Sequence, residues 1–229
     1  MADAGVIFDL DGTLVDSNYL HTLAWSRALA DCGEWAPSNA IHRLVGMGGD
    51  QLVPTLLGHP VDGASDRRAA RYHELIDEVR PFPEAESLLR RLRDLGLRVV
   101  LATSSPQEEV EAAVRHIGGF ERFDAVTSAD DVERSKPAPD VFQAALASGG
   151  LDPRRTVTVG DSVWDVQASR AAGLPCLGVE TGGFSHHELA EEGALAVYRD
   201  VEELQAQLLA GPVGTLLALA SRPATATSR

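Results

Sequence analysis

Val6-Ile7-Phe8-Asp9-Leu10-Asp11-Gly12-Thr13-Leu14 is an apolar run that stops abruptly at two carboxylates and a glycine. A strand alternates its side chains with a period of two, so Asp9 and Asp11 can leave the strand end on the same side. Two negative charges that close repel unless a cation or a shared proton offsets them. Alone, the segment also fits a solvated Asp-Gly turn after a buried strand. The rest of the sequence decides between these readings.

From residue 84 onward, short β-branched runs alternate with helical patterns. The runs cover residues 98–102, 123–127, 156–159, 175–179 and 194–198, and helices open after Pro106 and near Pro139. This alternation predicts right-handed crossovers and a parallel sheet covered on both faces, an α/β fold of three layers. Residues 16 to about 80 break the rhythm. They hold helix candidates at 18–31, 38–45, 50–57 and 65–79, glycine-rich joints and no convincing strand. The simplest reading is an α-helical insert placed after the first strand, on the side where Asp9 and Asp11 emerge, and positioned to act as a lid. Pro81-Phe82-Pro83 marks the return, and residues 212–229, rich in Ala, Thr, Ser and Pro, read as a flexible tail.

The 229 residues suffice for one large domain or a core plus a module. A formal net charge of −14 argues against nucleic acid or an anionic membrane as a partner. It permits an anionic small molecule, because a metal ion and one lysine can reverse the field inside a cleft. The N-terminus has no basic segment, no run approaches the ~20 apolar residues of a membrane span, and Cys32 and Cys176 lack metal-binding spacing. Reduced thiols and a cytoplasmic location are the expectation. Oligomeric state is not legible in the chain.

Polar residues stand at the C-terminal ends of three strands: Asp9 and Asp11, then Thr103-Ser104-Ser105, then Gly160-Asp161-Ser162. Ligands of an open parallel sheet bind beyond those ends, so the three groups should converge. Asp9, Asp161 and Asp165, with a backbone carbonyl, form a hard-oxygen set suited to Mg²⁺. Thr103 offers a hydroxyl, and the helix opening at Pro106 offers N–H donors. Lys136 offers a compact cation. Together they suit a phosphoryl group. Each residue also has a plainer reading. Asp161 can cap the helix at 163–172, Lys136 can be a solvated surface residue, Thr103 a turn residue, and Asp165 an exposed carboxylate one turn beyond Asp161.

D-x-D-G-T at 9–13, the strand-end Thr103, Lys136 before Pro137 and G-D-S-x-x-D at 160–165 together resemble the four motifs of the haloacid dehalogenase-like phosphohydrolases. The resemblance implies a Rossmann-like core of residues 1–15 and 81–211 with a helical cap of residues 16–80. It implies that Asp9 is the nucleophile of an aspartyl-phosphate and Asp11 the general acid and base. Thr103, Ser104 and Lys136 would hold the phosphoryl group. Asp9, the Asp11 carbonyl and Asp161, supported by Asp165, would bind Mg²⁺. Dehalogenases of this superfamily lack the second carboxylate, so Asp11 points to phosphate esters.

His21 and Trp25, at i and i+4, resemble the phosphoglycolate phosphatase and β-phosphoglucomutase-like branch, in which such a histidine contacts the general acid. A buried Trp with a partly exposed His beside it is the plainer alternative. The mutases carry a phosphate-gripping arginine in the cap loop where this chain has Gly49, so a hydrolase of a small phosphorylated metabolite is favoured over a mutase. Arg43 and Arg68 are possible substitutes for that arginine. Gly48-Gly49 fits either a substrate-facing loop or an ordinary joint. A catalytically silent binding module is the remaining alternative.

Overall fold

A computed structural model of the chain describes residues 3–215. The chain runs β1 (Asp3–Phe8), β2 (Val15–Asp16), α1 (Asn18–Asp31), α2 (Ser38–His42), α3 (Gly49–Leu57), α4 (Ala64–His73) and β3 (Arg80–Pro81). It continues with α5 (Ala85–Asp94), β4 (Arg98–Ala102), α6 (Gln107–Val114), β5 (Ala125–Thr127), α7 (Asp140–Gly149), β6 (Leu151–Gly160), α8 (Val163–Ala171), β7 (Cys176–Val179), α9 (His186–Glu192), β8 (Ala196–Tyr198) and α10 (Val201–Ala206). Six strands form one sheet in the order β5-β4-β1-β6-β7-β8, with every neighbouring pair parallel. The chain builds outward from β1 on one side, then crosses back and builds outward on the other. The C-terminal end of β1 therefore lies where ligands of such sheets bind.

The sheet is buried on both faces, which explains why its strands read as apolar runs rather than alternating ones. Val6 and Phe8 pack into the cluster holding Leu88, Leu89 and Leu92 of α5, while Ile7 points into the opposite cluster with Val141, Phe142 and Ala168. In α5 those three leucines are buried between exposed arginines, and burying each stabilises the fold by roughly 1.5–3 kcal/mol. The three-layer α/β architecture matches the reading of the sequence.

Between β2 and β3 the chain is helical. Trp25, Leu29, Ile41, Leu52, Val53 and Ala64 form an apolar cluster of their own. The helix expected over 65–79 is divided: α4 ends at His73, and a 3₁₀ turn follows at Ile76–Glu78. Where the segment leaves and returns, Val15 pairs with Pro81 and Asp16 with Arg80 in a two-stranded antiparallel ribbon, too short to leave a period in the sequence. Of the stretch read as a tail, residues 212–215 are helical with Val213 buried in the main core, and 216–229 lie outside the described residues. Among the described residues no helix is long and apolar enough to cross a membrane.

Candidate active site

The chain beyond Phe8 stays in the sheet for one more residue, since the Asp9 N–H donates to the Val159 carbonyl at 2.9 Å. It then turns tightly, with the N–H groups of Thr13, Leu14 and Val15 all donating to the Leu10 carbonyl. Gly12 sits in the turn at φ +77°, and a Cβ there would lie 2.5 Å from Asp161 Oδ2. Glycine is required both by the backbone and by the closeness of the carboxylate.

Asp9, Asp161 and Asp165 are buried, and one carboxylate oxygen from each lies within 4.8 Å of the others. Lys136 is fully buried against them, its Nζ 2.5 Å from Asp9 Oδ1 and 2.8 Å from Asp165 Oδ1. Burial pulls the lysine pKa down, but Asp165 and Asp9 outweigh it and hold Lys136 above its ordinary value. Burial pushes Asp9 up, against the pull of Lys136, and the other carboxylates push it further. Burial and the neighbouring Asp165 push Asp161 to about 7. Three carboxylates thus share one ammonium, leaving negative charge that a divalent cation would neutralise. Their oxygen donors suit a hard ion such as Mg²⁺.

These carboxylates are held by hydrogen bonds. Thr13 Oγ1 donates to Asp161 Oδ1 at 3.0 Å and Asn18 Nδ2 to Asp161 Oδ2 at 2.9 Å. Gly182, in the loop after β7, closes over the same carboxylate; a Cβ there would lie 1.6 Å from Oδ2. The helix-capping role read as possible for Asp161 belongs to Ser162, which forms a capping box with Asp165 at the start of α8. Asp165 Oδ2 accepts from the Ser162 N–H at 3.1 Å and from its hydroxyl at 2.5 Å. Lys136 and Asp165 are buried, so their solvated-surface readings fail.

Asp11 faces elsewhere. Its Oδ1 accepts from Ser17 Oγ at 2.6 Å and meets His21 Nε2 at 3.0 Å, and its Oδ2 accepts from Ser105 Oγ at 2.7 Å. Its side chain stands outside the three-carboxylate cluster. Burial raises the Asp11 pKa, but His21 and the two hydroxyls outweigh it and hold the carboxyl well below the usual range. The His21 ring stacks on Tyr72, with centroids 4.0 Å apart. His21 is buried, as is Trp25, so the plainer alternative of a partly exposed histidine beside a buried Trp fails on the histidine.

Asp9, Asp11, Thr103, Ser104 and Lys136 line one crevice with His21, Trp25 and Gly49 of the helical segment. Thr103 Oγ1 accepts from the Ser105 N–H at 3.0 Å, shaping the loop before α6. The stretch from Val45 to Gly49 lies over the crevice, where a Cβ on Gly48 would meet Ser135 Oγ at 2.0 Å. Gly48-Gly49 is therefore a close approach to the core. Gln51 reinforces it by donating to the Ser135 carbonyl at 2.7 Å. Of the two candidate cations, Arg68 borders the crevice, whereas Arg43 pairs with Glu188 and stacks over Phe184 away from it. Ser17, Ser105, Thr13 and Asn18 carry site geometry that the sequence reading did not assign. Ser105 and Thr13 were at hand inside the quoted motifs.

A model of the haloacid dehalogenase-like hydrolases matches residues 4–173. The chain is similar to a phosphoglycolate phosphatase of Rhodospirillum rubrum, 33% identical over 87% of this chain and 88% of that one. It is also similar to a fructose-1-phosphate phosphatase of Escherichia coli, 31% identical over 77% and 96%. The crystal structure of a hydrolase from Pseudomonas syringae superposes with a TM-score of 0.86 at 31% identity, covering 90% of this chain and 97% of that one.

Proposed function

The chain belongs to the haloacid dehalogenase-like hydrolases, and we propose that it is a Mg²⁺-dependent phosphatase of a small phosphorylated metabolite, working through an aspartyl-phosphate on Asp9. The observation that carries this reading is the division of labour between two carboxylates two residues apart. Asp9 is held by Lys136 at 2.5 Å within the acidic cluster, and Asp11 is held by His21, Ser17 and Ser105 outside it.

Lys136 grips one oxygen of Asp9, leaving the other to attack phosphorus as the ester P–O bond breaks. Thr103, the loop at Ser104 and Lys136 receive the phosphoryl oxygens at the N-terminal end of α6. Asp161, Asp165 and Asp9, with the Asp11 carbonyl, would hold the metal, which would neutralise phosphoryl charge. The departing alkoxide takes a proton from Asp11. His21 Nε2 lies 3.0 Å from Asp11 Oδ1, within hydrogen-bond reach of the carboxyl that gives this proton. Asp11 then takes a proton from the water that hydrolyses the phosphoenzyme. Residues 16–80 act as the cap over a core of 1–15 and 81–211, and exclude bulk water from these steps.

Hydrolysis accords with Gly49. It packs against Trp25, a Cβ there would lie 3.0 Å from the ring, and it supplies no cation for a second phosphate. The test is Mg²⁺-dependent phosphate release from a panel of phosphorylated metabolites, with Asp9→Asn as control. Release from one or a few esters, lost in the variant, is expected. Release from none, or release undiminished by Asp9→Asn, contradicts the reading.

A further inference from the structure

Beside the core residues, the crevice is lined by Trp25, Val45, Met47, Leu52 and Arg68 of the helical segment. Lys136 and Arg68 are its only lysine or arginine side chains among the described residues. Lys136 is engaged by Asp9 and Asp165. Arg68 is engaged as well: its Nη1 donates to both oxygens of Glu109, at 2.6 and 2.7 Å, and the side chains are only 12% and 11% exposed. Glu109 stands in the first turn of α6, where the positive helix end favours a carboxylate. Only Nη1 is engaged, but the pair cancels the guanidinium charge in a poorly solvated place, so an incoming carboxylate or second phosphate gains little net attraction from Arg68 and meets the Glu109 carboxylate beside it. Such an incoming group must also lie near Asp11.

Two residues lining this crevice each carry a buried polar atom without a partner, Ser104 Oγ and Arg68 Nε. Hydroxyl groups answer both, accepting from Nε and donating to or accepting from Oγ without bringing charge. The Arg68 guanidinium lies 5.7 Å from the Trp25 ring centre, so the aromatic face and the unpartnered N–H adjoin.

Resting on the phosphatase reading, we propose that the ester's leaving group is neutral and rich in hydroxyls, as in an aldose, ketose or polyol monophosphate. Glu109 is the specificity residue, disfavouring anionic leaving groups by cancelling the charge of Arg68. The family likeness alone leaves phosphoglycolate and sugar phosphates equally eligible; this ion pair separates them.

The test compares kcat/KM for hexose and pentose monophosphates with that for phosphoglycolate and a sugar bisphosphate, in wild type, Glu109→Gln and Arg68→Met. Wild type should favour the neutral leaving groups by about tenfold or more. Glu109→Gln, which frees Arg68, should cut that preference about tenfold, close to 1.4 kcal/mol of discrimination. Arg68→Met should slow the neutral esters, which lose the Nε donor, without speeding phosphoglycolate or the bisphosphate; faster hydrolysis of either anionic ester by this variant would overturn the proposal. Each ratio is taken within one protein, so a uniform loss from a loosened helical segment cancels. A wild type faster on phosphoglycolate or the bisphosphate overturns the proposal, as does a ratio unmoved in a turning-over Glu109→Gln. If Glu109→Gln does not fold, the wild-type ratio and the Arg68→Met rates decide. No hydrolysis of any ester instead overturns the phosphatase reading on which the proposal rests.

Discussion

The Lys136 ammonium, sealed from solvent, stands 2.5 Å from Oδ1 of Asp9, a residue 127 positions earlier in the chain. A buried ion pair is costly to break from one side, because the surviving charge loses its partner. Lys136→Met should therefore abolish turnover and also lower stability by about 3–5 kcal/mol in metal-free buffer. Urea unfolding checks this. Added Mg²⁺ should recover part of the loss, since the ion offsets the stranded carboxylates.

The pairing of Asp11 with His21, Ser17 and Ser105 makes a prediction about leaving groups. Asp11→Asn should retain metal affinity but slow sugar-phosphate hydrolysis by about 10²–10⁴. His21→Gln, which keeps a hydrogen-bonding group but carries no titratable proton, should slow it less. Both losses should shrink with an aryl phosphate, whose phenolate leaves without needing a proton. Equal losses on both ester classes would show that Asp11 and His21 act on something other than the departing oxygen.

Metal binding and pH are linked through the acidic cluster. Asp161 is pushed up to about 7 and Asp9 in the same direction, against ~3.9 for an unfolded carboxylate. Between about pH 4 and 7 the metal-free fold thus holds protons that the unfolded chain has lost, so its stability falls as pH rises through that window. Mg²⁺ must displace those protons, so its affinity should rise over the same range and its binding should release protons. Calorimetric titration in buffers of different ionisation enthalpy measures both.

Gly182 tests the geometry of Asp161 from outside the recognised motifs. A methyl group there would overlap Asp161 Oδ2, so Gly182→Ala should displace the carboxylate and weaken Mg²⁺ binding at least tenfold. A substitution at the exposed Gly173, where a Cβ meets nothing within 4 Å, is the control for general handling of the fold. Gly173 has φ +75°, so its effect is a modest stability loss without a change in metal affinity.

Much of this arrangement was legible in the sequence because it rests on local patterns. A buried strand reads as an apolar run, and the chemistry of a parallel sheet gathers at the strand ends, so Asp9, Thr103 and Asp161 could be placed together. Lys136 could be linked to them only through the joint motif pattern, as its carboxylate partners are 29 and 127 positions distant. Ser17 and Asn18 escaped because their role depends on how the chain enters α1 beside the β1 turn. The Arg68–Glu109 pair escaped for a similar reason: it joins α4 to α6, and neither helix betrays the other. Val213 was misread by composition, since an Ala-rich, Pro-rich context said nothing of the core it packs into.

The central claim is that Asp9 forms a covalent bond to phosphorus. Acid-quenching the enzyme during turnover of a good ester with Mg²⁺, followed by mass spectrometry of its peptides, tests it directly. A phosphoryl adduct on Asp9, gained and lost at rates consistent with kcat and absent from Asp9→Asn, is expected. Sustained hydrolysis by Asp9→Asn, or an adduct on another residue, would contradict it.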